Sequence, residues 1–196
     1  FSPDGKHLAY VAGKDKYEFV VLDEKEQHKY PISELPGSYP NVISGFAFNS
    51  DGSHYAYRVT RPNTNGIGQF IVDNGEAGKE YQTVSFPVYS EDGSKLGYRA
   101  NDEDSTYIVV NGKEVGSHQG AFGGHAEGNF VFSSDGQHLA YVVHNPDEHG
   151  KSYLLVRDGK ISEENIGLFK VLHLVPMANG LHLLYLSLMA QWVDIW

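Results

Sequence analysis

One ten-residue pattern of apolar and polar positions runs through the chain four times: FSPDGKHLAY from Phe1, FNSDGSHYAY from Phe48, YSEDGSKLGY from Tyr89 and FSSDGQHLAY from Phe132. Each copy opens on an aromatic residue, crosses a polar turn ending in Asp-Gly and runs into an alternating segment that closes on Tyr10, Tyr57, Tyr98 or Tyr141. Alternation with period two predicts strands, and a polar Asp-Gly turn between two such segments predicts a hairpin. In that turn Asp4, Asp51, Asp92 and Asp135 are expected to hydrogen-bond the backbone. Gly5, Gly52, Gly93 and Gly136 are expected to take the positive φ that a side chain resists. These eight residues are therefore assigned to structure.

A second element follows each copy: KYEFVVLDEKE, GQFIVDNGEAGKEY, TYIVVNGKEVG and SYLLVRDGKIS. An apolar, β-rich run leads into an acidic, Asn-Gly or Asp-Gly turn and then a more polar strand, which predicts a second hairpin and four strands per repeat. For the second repeat the strands are expected at Val42 to Phe48, His54 to Thr60, Gln69 to Asp73 and Lys79 to Val84. The copies start 47, 41 and 43 residues apart, and four antiparallel strands per such period is the blade of a β-propeller. The fold class predicted is all-β, with roughly 4.5 blades in the chain at that period. The expected divisions are a partial blade at 1–41, blades at 42–85, 86–126 and 127–168, and a last partial blade at 169–196, so that the chain is expected either to form part of a larger ring or to have its edge strands covered otherwise. In the last stretch PMANGLHLLY, from Pro176 to Tyr185, stands where a fifth copy is due. It is either a degenerate repeat, with Asn179-Gly180 replacing Asp-Gly, or a coding stretch for F-S-P-D-G-K-R read one base out of frame.

Composition agrees with many short strands: 22 glycines, 13 tyrosines and 10 phenylalanines stand against only 2 methionines. The net charge of -10 disfavours nucleic-acid or anionic-membrane binding, which needs clustered Lys and Arg. With no cysteine there is no disulfide framework, thiolate zinc site or cysteine nucleophile. The most apolar stretch, from Val171 to Trp196, is broken by His173, Pro176, Asn179, Gly180, His182 and Asp194, which disfavours a membrane span.

The FSPDGKHLAY phrase, recurring in register over roughly residues 1–166, resembles the WD40-like propeller repeat of TolB-type proteins. FVVLDEKE and YIVVNGKEVG look like the bacterial version of that repeat, in which a valine-rich third strand enters an Asp-Gly-Lys or Asn-Gly-Lys turn. The resemblance implies a periplasmic or extracellular location and a non-enzymatic binding or scaffolding role with a protein or peptide partner. Similar repeats also form the substrate-gating propeller of larger prolyl-oligopeptidase-like serine peptidases, which is the alternative function.

No catalytic constellation, metal site or cofactor site is read from the residues. His7, His54, His138 and His182 share one position after the turn, occupied by Lys95 in the remaining copy, and are read as solvated surface. His118, His125, His144 and His149 are read as lying in connections. A zinc or base role would need them to converge with Glu127, Asp147 or Glu148. Asp102, Glu103 and Asp104 read as a solvated loop, no G-x-S-x-G elbow is present, and the glycines from Gly120 to Gly128 lack the helix of a phosphate loop. The longer connections, SELPGSYPN, RPNTNGI, NDEDS, HQGAFGGHAEG and HNPDEHGK, are expected on one face of the blades, opposite the tight turns. Tyr39, Arg61, Phe122, His125, His144 and His149 are its candidate binding residues. Arg58 and Arg99, at equivalent positions, are expected either to point to that face or the channel or to pair with acidic loop residues.

Overall fold

The computed structural model describes residues 1–32, 42–64, 66–103, 105–119, 130–144, 152–167, 173–177 and 180–184. Their regular structure is β-strand throughout. The strands are β1 (Ala9–Lys14), β2 (Tyr17–Leu22), β3 (Lys25–Pro31), β4 (Ile43–Phe48), β5 (Tyr55–Asn63), β6 (Gly66–Asp73), β7 (Glu76–Ala77), β8 (Thr83–Val84) and β9 (Val88–Tyr89). They continue with β10 (Leu96–Asp102), β11 (Ser105–Val110), β12 (Lys113–Gln119), β13 (Phe130–Phe132), β14 (Leu139–His144), β15 (Ser152–Arg157), β16 (Lys160–Gly167), β17 (His173–Met177) and β18 (Gly180–Leu184). All pairings are antiparallel and local, giving sheets ordered β1-β2-β3, β4-β5-β6-β7, β8/β9-β10-β11-β12, β13-β14-β15-β16 and β17-β18. These sheets are propeller blades, laid side by side with the short strands β4, β9 and β13 at one end of each sheet.

The apolar cores lie between blades. Val20 and Tyr30 of the first sheet pack with Tyr57, Val59, Phe70 and Val72 of the second. Ala56 and Ile71 of the second pack with Leu96, Tyr98 and Val109 of the third, and Ile108 of the third with Phe130, Tyr141 and Val156 of the fourth. A sheet covered on both faces has no solvated side, so its central strands lose strict alternation. That accounts for the continuous run Phe70-Ile71-Val72 of the second sheet, all buried between the first and third.

The turn between third and fourth strands is the same in each blade. Asp23-Glu24, Asn74-Gly75, Asn111-Gly112 and Asp158-Gly159 all have positive φ at both central residues, the type I′ geometry that matches strand twist. Glu24, at φ 65, stands where the other blades have glycine. Relief of its left-handed strain, about 1–2 kcal/mol, is partly offset by the greater freedom of glycine in the unfolded chain. Glu24→Gly is expected to raise stability by roughly 0.5 kcal/mol in urea unfolding.

Two expectations for the second and third repeats are corrected. The fourth strand expected from Lys79 to Val84 divides: Glu76–Ala77 completes the second sheet, assisted by a bridge from Gln69 to Tyr81, while Thr83–Val84 pairs with β10 of the next blade. The first strand of the third blade is split into β8 and β9 around the segment containing Pro87, which has no N–H for a ladder bond. RPNTNGI and NDEDS are also not long loops. β5 and β6 pair to the end, Asn63 opposite Gly66, and β10 and β11 likewise, Asp102 opposite Ser105, so that only two residues separate the paired ends.

The hairpin β17-β18 pairs Met177 with Gly180. The other copies separate their strands by a longer turn, as between Phe48 and Tyr55. The Pro176 copy therefore differs in turn geometry as well as in sequence, and Tyr185 lies outside the described residues.

Candidate functional site

The two ends of the blades differ in construction. On one, the Asp-Gly turn is built around a buried polar pivot, Ser2, Asn49, Ser90 or Ser133, each 3–4% exposed. The pivot side chain accepts the N–H of the residue that starts the second strand: His7 to Ser2 Oγ 3.0 Å, His54 to Asn49 Oδ1 3.0 Å, Lys95 to Ser90 Oγ 3.0 Å and His138 to Ser133 Oγ 2.9 Å. The turn aspartates accept backbone N–H groups two residues on, at 2.9–3.2 Å. Successive turns also touch. A Cβ on Gly136 would lie 2.5 Å from the Asp92 carboxylate, and one on Gly52 would lie 2.8 Å from that of Asp4. Glycine at these two positions serves both its positive φ and the seat of the preceding blade's aspartate.

The repeated histidine is at the surface, with its side chain 40% exposed at His7 and 43% at His138, and in these two blades it also has a partner. Asp23 Oδ1 accepts the Leu8 N–H and its Oδ2 meets His7 Nδ1 at 2.6 Å; Asp158 does the same with Leu139 and His138, at 2.8 Å. Each aspartate thus clasps the two hairpins of its blade. In the third blade Asn111 keeps only the backbone bond, to Leu96 N–H at 2.8 Å, where Lys95 replaces histidine. A sequence signal for the clasp existed: aspartate at the second turn, Asp23 or Asp158, occurs only in copies with histidine after the first, whereas His54 is matched by Asn74 and Lys95 by Asn111.

Hydrogen bonds from Ser90 and Ser94 hold the Asp92 carboxyl below the usual carboxylate range; bonds from the Ser53 hydroxyl and backbone do the same for Asp51, and bonds from Ser133 and the Gln137 backbone for Asp135. A carboxylate with a depressed folded-state pKa contributes stability above its unfolded value, and that contribution is lost as pH falls through the folded one. Asp92→Asn is therefore expected to make the fall in stability below about pH 4 shallower, read from urea midpoints across pH, since the unperturbed value is 3.8.

Between the second and third blades this turn side opens into a polar cleft of about 380 Å³, lined by Asn49, Asp51, His54, Asp73, Tyr89 and Asp92 among others. Tyr89 donates to Asp73 Oδ1 at 3.2 Å. Burial, first, and the Asp73 charge, second, push the Tyr89 phenol well above its ordinary range. The matching cleft between the third and fourth blades, about 240 Å³, is lined by Val110, Val115, Phe132, Leu139 and Tyr141, with Lys95 and Asp158 also in its wall.

At the opposite end lies Arg61, a strand residue paired with Gly68. Its Nε donates to Glu80 Oε2 at 2.6 Å, its guanidinium stands 4.9 Å from the Phe70 ring centre, and its side chain is still 54% exposed. Asn63 donates to the other Glu80 oxygen at 2.9 Å. Tyr39, Phe122, His125 and His149 lie outside the described residues, and the backbone of His144 ends β14 opposite Tyr153. Two of the histidines read as connection residues are thus in strands: His144 and His118, the latter in β12. His118 Nε2 meets the Tyr141 hydroxyl at 3.1 Å in the seam between blades, where burial lowers its pKa.

Arg58 reaches both its own blade and the next. Its Nε donates to Ser44 Oγ at 3.1 Å and its Nη1 to the Val84 carbonyl of the next blade at 3.0 Å, with the guanidinium 4.4 Å from the Phe86 ring centre. Burial lowers the pKa of the equivalent Arg99 guanidinium. Among the described residues no group of three or more His, Asp or Glu side chains is placed to hold a metal ion.

No protein-family model matches the chain, and no curated protein does. Among solved structures it is similar to TolB from Acinetobacter baumannii, at 18% identity and TM-score 0.43, over 87% of this chain and 43% of that one. It is also similar to the β-propeller domain of the trilobed protease from Pyrococcus furiosus, at 14% identity and TM-score 0.44, over 85% of this chain and 60% of that one. A third similarity is to hydrazine synthase from Kuenenia stuttgartiensis, at 15% identity and TM-score 0.41, over 97% and 54%. The chain thus spans less than half the length of the A. baumannii TolB.

Proposed function

We propose that this chain is a non-enzymatic binding module, taking a protein or peptide partner on the blade face that carries Arg61 and the longer connections. Arg61 is the observation that carries the reading. A guanidinium clamped by Glu80 and stacked on Phe70, yet more than half exposed, has already lost most of the rotamer freedom that binding would remove. Such pre-organised arginines are the kind of residue that dominates interfaces. Tyr39, Phe122, His125, His144 and His149 complete the proposed face, and a periplasmic or extracellular address goes with the reading.

The titratable groups of the turn-side cleft support the absence of chemistry. General acid–base catalysis works best with a pKa near the operating pH. Here Asp51 and Asp92 are held low and Tyr89 high, so each stays in its ordinary charge state and is spent on hydrogen bonds within the scaffold.

The test is selection of a displayed random-peptide library on the immobilised chain, followed by binding of the enriched peptides to a Tyr39→Ala, Arg61→Ala, Phe122→Ala variant. Affinity is expected to fall by about tenfold or more while the unfolding midpoint changes little. Enriched peptides that bind the variant as well as the parent chain overturn the assignment to this face.

A further inference from the structure

The two turn-side clefts are one structural feature formed twice, at successive blade seams, and they have diverged at a pair of positions that face each other. Asp73 and Val110 each immediately precede the turn after the third strand; Tyr89 and Phe132 each end the inner strand of the next blade. In the seam before them the corresponding residues are Leu22 and Phe48, both packed against the apolar core. The pairs across the three seams are therefore Leu22 with Phe48, Asp73 with Tyr89, and Val110 with Phe132. Only the middle seam pairs a carboxylate with a hydroxyl, and both members have changed together.

The charge of that cleft is only partly compensated: Lys6 acts on Asp51 and Lys95 on Asp92 through space, without an ion pair. Among the described residues Asp51, Asp73 and Asp92 have no basic group within ion-pair distance. Elsewhere Asp4 has Lys6, Glu80 has Arg61 and Glu114 has Lys79. One blade further on, the sister cleft is more apolar, with Val110, Val115 and Leu139 over the buried Phe132 and with Lys95 and Asp158 at its wall; Val115 is 49% exposed. A chain of net charge -10 that concentrates acid in one cleft and apolar surface in the next is complementary to a basic, amphipathic ligand.

We infer that the turn-side face docks a basic segment of a partner protein, seating a Lys or Arg side chain between Asp51, Asp73 and Asp92 and an apolar side chain on Val110, Phe132 and Leu139. This surface is opposite the Arg61 face and independent of the function proposed for it. Exposed charge pairs of this kind contribute modestly, up to about 1 kcal/mol each, so selectivity arises from using both clefts at once.

The experiment uses the full chain and labelled synthetic peptides carrying one Lys and one Leu joined by Gly-Ser spacers of increasing length, with binding followed by fluorescence anisotropy. One spacer length is expected to bind best, and changing its Lys to Glu or its Leu to Ser is expected to weaken it by about fivefold in each case. Asp73→Asn keeps an acceptor for the Tyr89 hydroxyl, and the pair Asp73→Val with Tyr89→Phe copies the sister cleft, so both should fold. In each the preference for Lys over Glu is expected to shrink to about twofold or less. Full retention of that preference in both variants overturns the inference, as does equal binding of the Lys and Glu peptides to the parent chain. Loss of binding in the Tyr39, Arg61 and Phe122 variant but not in the Asp73 variants would place the peptide on the other face, overturning this inference and leaving the proposed function standing.

Discussion

Tyr57→Ala is expected to destabilise the chain by about 4 kcal/mol in urea unfolding, while Tyr10→Ala costs about 0.5 kcal/mol, although both tyrosines close the same repeated phrase. Tyr57 is 1% exposed, in a row of near-parallel rings with Phe46 at 6.1 Å and Tyr55 at 6.3 Å. Its truncation forfeits the transfer free energy of a large ring and leaves a cavity between two blades that cannot close without moving both sheets. Tyr10 is 51% exposed. Its strand, β1, is at the edge of a three-stranded sheet, and among the described residues its ring joins none of the interblade cores that hold Tyr57, Tyr98 and Tyr141. Equal losses at the two sites would contradict the placement of the core between blades.

The next largest effect is expected at Gly45. In β4 this residue has φ 64 within a bulge, where the register with β5 shifts between Ser44 and Ala47. A Cβ there would overlap the Phe86 ring, which sits directly on the glycine. Gly45→Ala combines left-handed strain of about 1–2 kcal/mol with overpacking of about 1–3 kcal/mol, for an expected loss of about 3 kcal/mol. The ring can yield only by leaving Arg58, whose guanidinium covers it. Phe86 is 37% exposed, so Phe86→Ala alone is expected to cost only about 1 kcal/mol. Combined, the two substitutions should cost at least about 1 kcal/mol less than the sum of the single losses. Strict additivity in that cycle would show that backbone strain accounts for the whole Gly45 effect.

How far the sequence is readable depends on whether a residue's role is local. The turn phrase is local: Asp-Gly between alternating segments specifies a hairpin wherever it stands, so four blades could be placed from four copies. The fourth strand of the second blade is not local. Lys79 to Val84 has an ordinary strand composition, but its last two residues find better pairing with β10 of the next sheet than with β6, and only the three-dimensional neighbour decides that. The same holds for His7 and His138. A histidine at a strand start reads as surface until the aspartate at the far turn, 16 or 20 residues later, folds back beside it. The candidate site was the least readable part. Arg61 was legible as a cation near a hairpin end, but its clamp by Glu80 comes from the following interblade segment. The cleft pair Asp73 and Tyr89 could have been found by aligning the four copies, which carry Leu22, Asp73, Val110 and Arg157 at this position, and asking where it turns acidic.

The pairing of Asp73 with Tyr89 also makes the order of the modules matter. Repeats that share a phrase invite treatment as interchangeable parts, to be duplicated, deleted or permuted. The stacked turns would tolerate this, because the turn glycine meets a polar turn residue of the preceding blade at each seam: Asp4 at Gly52, Ser50 at Gly93 and Asp92 at Gly136. Asp73 would not: with the third blade removed or moved, it would face Phe132, a ring with no hydroxyl to offer, at a position where the first and third blades carry Leu22 and Val110. The second and third blades are thus inherited as a couple, and recombination within this array is permitted at the seams on either side of them but not between them.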